Sequence, residues 1–316
     1  MVDSESERVK HFKEIMPETE KSRRKGLEEF KPQPTDVFVV TPPKCGTTWM
    51  QQIVHGLRSG GSMDYDCIEN VIPYIEMAHD CGYTDLDKDQ GYFPRMYKTH
   101  SWYPHCPKGA AKYVFVLRDP EAAGISFYHF FNGWLFDKDT LLMEEFLLGF
   151  YTALGPAKSI LENASTWDII SSWYPHRNDS NVLWLHYEDM LDDLPQCVEM
   201  VSKFIGIGEG DAELLDLVVK QSRFDFMKSH WEKFDERPMK THFNWRWNRP
   251  STAGTDGQNS KIREGGRAKV ELSEALKEKF DLKWHTTIKP VTGYASYKEL
   301  REGINKELGR KFSVQS

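Results

Sequence analysis

Asp36-Val-Phe-Val-Val40, running into Thr41-Pro-Pro-Lys44-Cys45-Gly46-Thr47-Thr48-Trp49, is the stretch that decides the fold. The first half is a short apolar run of the kind that forms a buried strand. The second is a tight, glycine-bearing loop that leads into residues 50–57, whose mixed pattern suits a helix. A strand, a loop and a helix start in that order can bind a phosphate. The first-turn N–H groups have no partner inside the helix, and the macrodipole favours an anion there. Gly46 lets the backbone approach a ligand closely; Lys44, Thr47 and Thr48 add one charge and two hydroxyls. The Walker pattern is absent, because here the Lys precedes the Gly. Taken alone, the loop reads equally well as an ordinary strand-to-helix turn.

Outward from this loop, three more strands are expected at 95–99, 112–117 and 181–187, with helices at 121–131, 157–173 and 194–205. Strands alternating with helices predict an α/β fold, a central parallel sheet flanked by helices on both faces in a single domain. In such sheets ligands sit beyond the carboxyl ends of the strands. Residues 1–34 are expected to be a charged, solvated arm, with Pro32 and Pro34 punctuating its end. The polar loop 251–261 is a candidate lid, and a helix is expected at 270–282. The domain is placed at 35–293 and a helical tail at 294–316.

With 39% hydrophobic and 28% charged residues, the 316-residue chain has the composition of a globular protein rather than a disordered one. A net charge of −7 disfavours nucleic acid and anionic membranes as partners, so an anionic ligand needs a local basic site. The first residues are charged and hold no apolar signal segment, and no apolar run is long enough to span a bilayer. Cys45, Cys67, Cys81, Cys106 and Cys197 form no CxxC pair. These features predict a cytoplasmic protein. His100, His105 and Cys106 match no standard zinc spacing, and no metal is expected.

Each expected strand ends in residues suited to one ligand. Lys98 and His100 close the second, and an imidazole there is a general-base candidate. Arg118 closes the third, with Ser126 eight residues on; a guanidinium suits multi-point phosphate recognition, although an ion pair with Asp119 is the alternative. Tyr187 closes the fourth and, with Trp49 and Phe224, offers rings to stack on a planar base. Arg263-Glu-Gly265-Gly-Arg267 forms a second basic, glycine-rich loop.

Together these segments resemble the cytosolic sulfotransferases, which carry, in this order, a TYPKSGTTW-like loop, a KTH segment, an Arg and a Ser eight residues apart, a YEDM stretch and an RKG loop. The resemblance implies a P-loop-like sheet and use of 3′-phosphoadenosine 5′-phosphosulfate (PAPS), with the product PAP and no metal. It implies that Lys44, Cys45, Gly46, Thr47 and Thr48 bind the 5′-phosphosulfate. Arg118 and Ser126, with Arg263 and Gly265, would bind the 3′-phosphate. Trp49, Tyr187, Ser222 and Phe224 would frame the adenine. His100 would be the base, with Lys44 and Lys98 neutralising the sulfuryl group as cations do in phosphoryl transfer.

The departures are specific. Glu264 stands where the family has a Lys, and the dimer motif becomes Lys269-x-x-x-Ser273-Glu274-x-x-x-Glu278, which puts dimerisation in doubt. Cys45 beside Lys44 at a helix start is a candidate acidified thiol open to redox control. The acceptor is expected to be a ring-containing small molecule, held by Tyr74, Phe127, Phe131 and Trp245. Glu76 or Asp80, within an acidic segment otherwise expected to be solvated, would favour a cationic one. Competing readings are an ATP-dependent kinase, disfavoured by the missing Walker pattern, a membrane-anchored polysaccharide sulfotransferase, and a non-catalytic nucleotide-binding relative.

Overall fold

The computed structural model describes residues 7–15, 18–138, 140–254, 262 and 271–312. Four parallel strands, β1 Val37–Val40, β2 Met96–Thr99, β3 Lys112–Leu117 and β4 Val182–His186, form one sheet in the order β2-β1-β3-β4. The near-continuous apolar sequences of β1, β3 and β4 follow from burial on both faces. One face carries rings: Phe38 stacks on Tyr97 and Tyr113, with centroids 5.4 Å apart in both cases, and Phe115 meets Trp184 at 4.3 Å. The other face carries Val37, Val39, Val114, Val116, Leu183 and Leu185.

The aliphatic face is covered by helices α2 (Thr47–Ser59), α5 (Leu194–Ile205) and α6 (Ala212–Gln221). The aromatic face is covered by α1 (Glu7–Ile15), α3 (Pro120–Phe131), α4 (Thr166–Trp173), α8 (Glu274–Lys283) and α9 (Tyr297–Glu307). A further helix, α7 (Arg237–Arg246), lies over the strand ends with Phe243 turned inward.

Three expectations are corrected. Residues 7–15 and 18–34 are not a solvated arm. Val9 and Phe12 are buried, and Phe12 makes edge contacts with Phe131, Phe136, Phe146 and Phe150. An apolar pair three residues apart suffices to dock a short helix whose other residues are mostly charged. The expected helix at 157–173 begins only at Thr166, with the Ser165 hydroxyl accepting from the Asp168 N–H. Upstream, the buried Arg23 guanidinium takes the carbonyls of Ile160 and Glu162 at 2.5 and 3.1 Å, giving this backbone non-helical partners. The tail is part of the same unit: Leu300 and Ile304 are fully buried, and Arg301 clamps Asp189 and Asp192 at 2.7 and 2.6 Å. The helix expected at 270–282 runs from Glu274 to Lys283, capped by Ser273 of the altered dimer motif. Residues 255–261 of the expected lid lie outside the described residues.

Candidate active site

Parallel register puts all four strand ends on one edge of the sheet. Val40 lies opposite Thr99 on one side and Phe115 on the other, and Leu117 lies opposite His186. The residues that follow, the 41–46 loop, His100, Arg118 and Tyr187, therefore converge. They surround a cavity of ≈ 250 Å³.

At one end of this cavity is the loop. Lys44 (φ 68°) and Gly46 (φ 92°) both occupy the left-handed region, the first uncommon for a side chain, and Gly46 caps α2. A Cβ on Gly46 would come within 2.8 Å of the Tyr187 ring. Only glycine lets helix start, loop and ring approach this closely. Lys44 Nζ lies 4.1 Å from the Phe130 ring centroid. The Arg118 guanidinium stacks 4.4 Å over Tyr187 and donates to the Lys44 carbonyl at 3.4 Å. Tyr187 meets Trp49 edge-on at 5.4 Å, and the Trp49 indole N–H donates to the Ser222 carbonyl at 2.7 Å. Gly46, Thr47, Thr48, Ser126, Ser222 and Phe224 also line this end.

Two polar atoms here are buried without a partner among the described residues, Arg118 Nε and Ser222 Oγ. A buried donor left in this state costs about 1–3 kcal/mol. A polyanion with a hydrogen-bonding base would supply partners to both.

In the middle stands His100. Its Nδ1 lies 2.8 Å from the Thr41 carbonyl, which can only accept, so Nδ1 carries the proton and Nε2 is the nitrogen able to receive one. The backbone N–H of His100 donates to Glu76 Oε1 at 2.9 Å. Lys98, two residues earlier and on the same side of the strand, is 1% exposed. It donates to Glu69 at 3.0 Å and to Glu236. Burial opposes its charge, but the Glu236 and Glu69 carboxylates outweigh burial and raise its pKa.

The far end is apolar. Phe127, Phe131, Phe150, Met239 and Phe243 form its walls, together with Tyr74. Tyr74 packs edge-on to His100 at 5.1 Å, and burial keeps its phenol protonated, so it donates to Glu18 at 3.2 Å.

The structure thus gathers Lys44, Gly46, Thr47, Thr48, Trp49, Lys98, His100, Arg118, Ser126, Tyr187, Ser222, Phe224, Tyr74, Phe127 and Phe131 around one cavity. Four sequence candidates fall elsewhere. Cys45 points into the protein, and burial pushes its thiol up to about 12, the reverse of the acidified thiol expected from its neighbours. Glu76 lies behind the cavity, where it accepts from Thr99, His100 and Ser101 and so braces the end of β2. Asp80 accepts from Thr19, and Trp245 is 78% exposed; both border a separate open groove on the outer side of α7. Residues 243 and 245 of one helix diverge by about 200°, so only Phe243 reaches the cavity. Nor is the acidic segment wholly solvated, since Glu69 and Glu76 are buried. Arg263 and Gly265 lie outside the described residues, as does Glu264.

Glu18, Glu236 and Met239 line the cavity without having been singled out, and Thr41 orients the imidazole. Glu18 and Glu236 carried no local signal, since each sits in a stretch dense with charge. Thr41 did, as the residue between strand and loop. Among the described residues no group of three or more His, Cys, Asp and Glu could hold a metal ion, and no helix is long and apolar enough to cross a membrane.

Comparison with known proteins agrees with this architecture. Residues 34–288 match the family described as the sulfotransferase domain. Amine sulfotransferase of Oryctolagus cuniculus is 32% identical over 211 residues, an alignment covering 64% of this chain and 66% of that protein, just under two thirds of its length. Sulfotransferase 1B1 of Canis lupus familiaris is 26% identical over 277 residues, covering 81% and 84%. Among solved structures, mouse sulfotransferase SULT7A1 complexed with PAP superposes with a TM-score of 0.62 at 20% identity, over 92% of this chain and 94% of that one. Retinol dehydratase in complex with androsterone and PAP gives 0.61 at 18% identity, over 84% and 83%. At these identities the structural likeness bears on the fold.

Proposed function

The chain belongs to the sulfotransferase domain family, and from that premise we propose that it moves a sulfuryl group from PAPS to a hydroxyl or amino group of a ring-containing small molecule. The observation that carries the proposal is the imidazole of His100, locked by the Thr41 carbonyl with its proton on Nδ1, facing a cavity that has the 41–46 loop at one end and phenylalanines at the other. The rabbit amine sulfotransferase supports amines as well as alcohols in the acceptor class.

PAPS supplies an activated S–O bond, whose phosphate side is the leaving group. The residues fit such a donor. Lys44 and the α2 N-terminus offer positive charge to the phosphosulfate, and Arg118 and Ser126 offer donors to the 3′-phosphate. Trp49, Tyr187 and Phe224 offer faces to the adenine, and the unpartnered Ser222 hydroxyl offers it a hydrogen bond. His100 Nε2 takes the acceptor's proton as its oxygen or nitrogen attacks sulfur, and the imidazolium that results stays bonded to Thr41. Lys44 offsets charge on the leaving phosphate. Lys98, held by two carboxylates, positions the strand end that bears His100. The aromatic walls exclude water, which would otherwise compete as acceptor.

The test is transfer from ³⁵S-labelled PAPS to a panel of phenols, alcohols, steroids and amines, with PAP affinity measured in parallel. Wild type transfers label. His100→Ala loses about 10²–10⁴-fold in turnover while PAP affinity stays unchanged. Arg118→Ala weakens PAP by about 10–100-fold. Turnover that survives His100→Ala refutes the role of the base. Absence of both PAP binding and label transfer in wild type overturns the reading as a whole.

A further inference from the structure

Helix α9 lies beyond residues 34–288, the part of the chain that matches the sulfotransferase family, yet it holds the residues behind the loop end of the cavity. Its grip falls on the short helix Tyr187–Asp192, which opens with the ring that carries Arg118. Three carboxylates there take donors from α9. Tyr297 donates its hydroxyl to Glu188 Oε2. Arg301 donates to Asp189 at 2.7 Å and to Asp192 at 2.6 Å, and the Asn305 amide donates to Asp189 at 3.0 Å. Positions 297, 301 and 305 recur every four residues, so one stripe of α9 makes all of these bonds. Leu300 and Ile304 seat the neighbouring stripe in the core.

Glu188 carries the grip further. Its other oxygen, Oε1, accepts from the Asp119 N–H at 3.4 Å. Asp119 follows Arg118 directly and caps α3, accepting from the N–H groups of Glu121 and Ala122 at 2.8 and 3.2 Å. Tyr187 stands just before Glu188, with the Arg118 guanidinium 4.4 Å over its ring. One side chain therefore ties the residues after β3 to those after β4. Burial keeps the Tyr297 phenol protonated, as a donor must be. Burial also disfavours the Glu188 carboxylate, and the bond from Tyr297 opposes that effect.

Resting on the nucleotide assignment proposed above, we infer that Tyr297 is a positioning residue for the donor, acting through Glu188 to set Arg118 where it meets the 3′-phosphate. The two phosphates are then held by separate devices. The 5′-phosphate rests on the 41–46 loop and the start of α2, which are continuous in sequence. The 3′-phosphate rests on the junction of β3 with α3, which α9 braces from the far end of the chain.

The probes are PAP and adenosine 5′-phosphate, which differ only by the 3′-phosphate. Each is titrated calorimetrically into wild type and Tyr297→Phe, a change that removes one hydroxyl. Wild type prefers PAP by about 10-fold or more, the ratio expected from a charge-assisted hydrogen bond. Tyr297→Phe weakens PAP by about 3–10-fold, the worth of one hydrogen bond, while adenosine 5′-phosphate changes by less than about 2-fold. A merely structural role for α9 lowers the melting temperature without moving this ratio. Unchanged PAP affinity in Tyr297→Phe, or equal weakening of both nucleotides, overturns the inference. If Tyr297→Phe does not fold, the same criteria apply to Arg301→Lys, which keeps the charge but loosens the same turn from α9. Wild type that binds PAP no better than adenosine 5′-phosphate refutes the 3′-phosphate site itself, a failure visible without any variant.

Discussion

Lys98→Met keeps most of the side chain's length and removes its ammonium, and the structure makes it one of the costliest single changes available. The Lys98 ammonium is buried between Glu69 Oε1, at 3.0 Å, and Glu236 Oε1. Without it, two carboxylates face each other in a space closed to water. Removing one partner from a buried ion pair costs about 3–5 kcal/mol, and serving two acids places Lys98 at the upper end, ~5 kcal/mol. At about 2–4 °C per kcal/mol for a large domain, the melting temperature falls by ~10–20 °C. Adding Glu236→Gln removes one of the stranded charges, so the double variant recovers ~2 kcal/mol or more, and the difference between the two backgrounds is the coupling energy of the pair. Urea titration at pH 7, followed by tryptophan fluorescence, reads both quantities. A single variant that loses less than about 1 kcal/mol, or a second substitution that adds to the loss, refutes the triad as an energetic unit. The same reasoning warns that turnover lost in a Lys98 variant is not by itself a measure of catalysis.

Acid sensitivity has a named source in His55, which burial and then Arg58 hold down at about 3. Between that value and the ordinary ~6.5, the unfolded chain binds a proton that the folded chain does not, so stability falls as pH is lowered through this window. From pH 7 to 5.5 the loss is ~1 kcal/mol, and His55→Gln flattens the slope by that amount in urea titrations; an unchanged slope refutes the assignment. Cys45, pushed up to about 12 by burial, stays a thiol at pH 8, so iodoacetamide leaves it unlabelled in folded protein and mild peroxide leaves PAP affinity unaltered. Labelling at Cys45 accompanied by weakened PAP binding contradicts this.

The strands and the phosphate-loop end of the cavity were legible because their information is local. Four apolar runs bounded by turns fall within a residue of β1–β4, and the helix expected at 194–205 is α5. Candidates that followed strands directly, namely Lys44, His100, Arg118 and Tyr187, converge because parallel register leaves them one edge on which to emerge. Candidates chosen by composition fared differently. Glu76 and Asp80 share an acidic segment with Glu69, yet only Glu69 reaches Lys98, while Glu76 turns to the end of β2 and Asp80 to Thr19.

By itself, the sequence determined an α/β sheet, a loop shaped for an anion and a histidine at a strand end, because each depends on the spacing of neighbouring residues. Only the tertiary structure decided which acids meet which bases. Glu18 reaches the cavity from the N-terminal segment and Glu236 from the turn before α7, 218 residues later in the chain. Other charged residues stand close to each in sequence, so no local pattern marks either one. Burial selects them, since a carboxylate closed off from water must be met by a cation, and that meeting is a property of packing rather than of spacing.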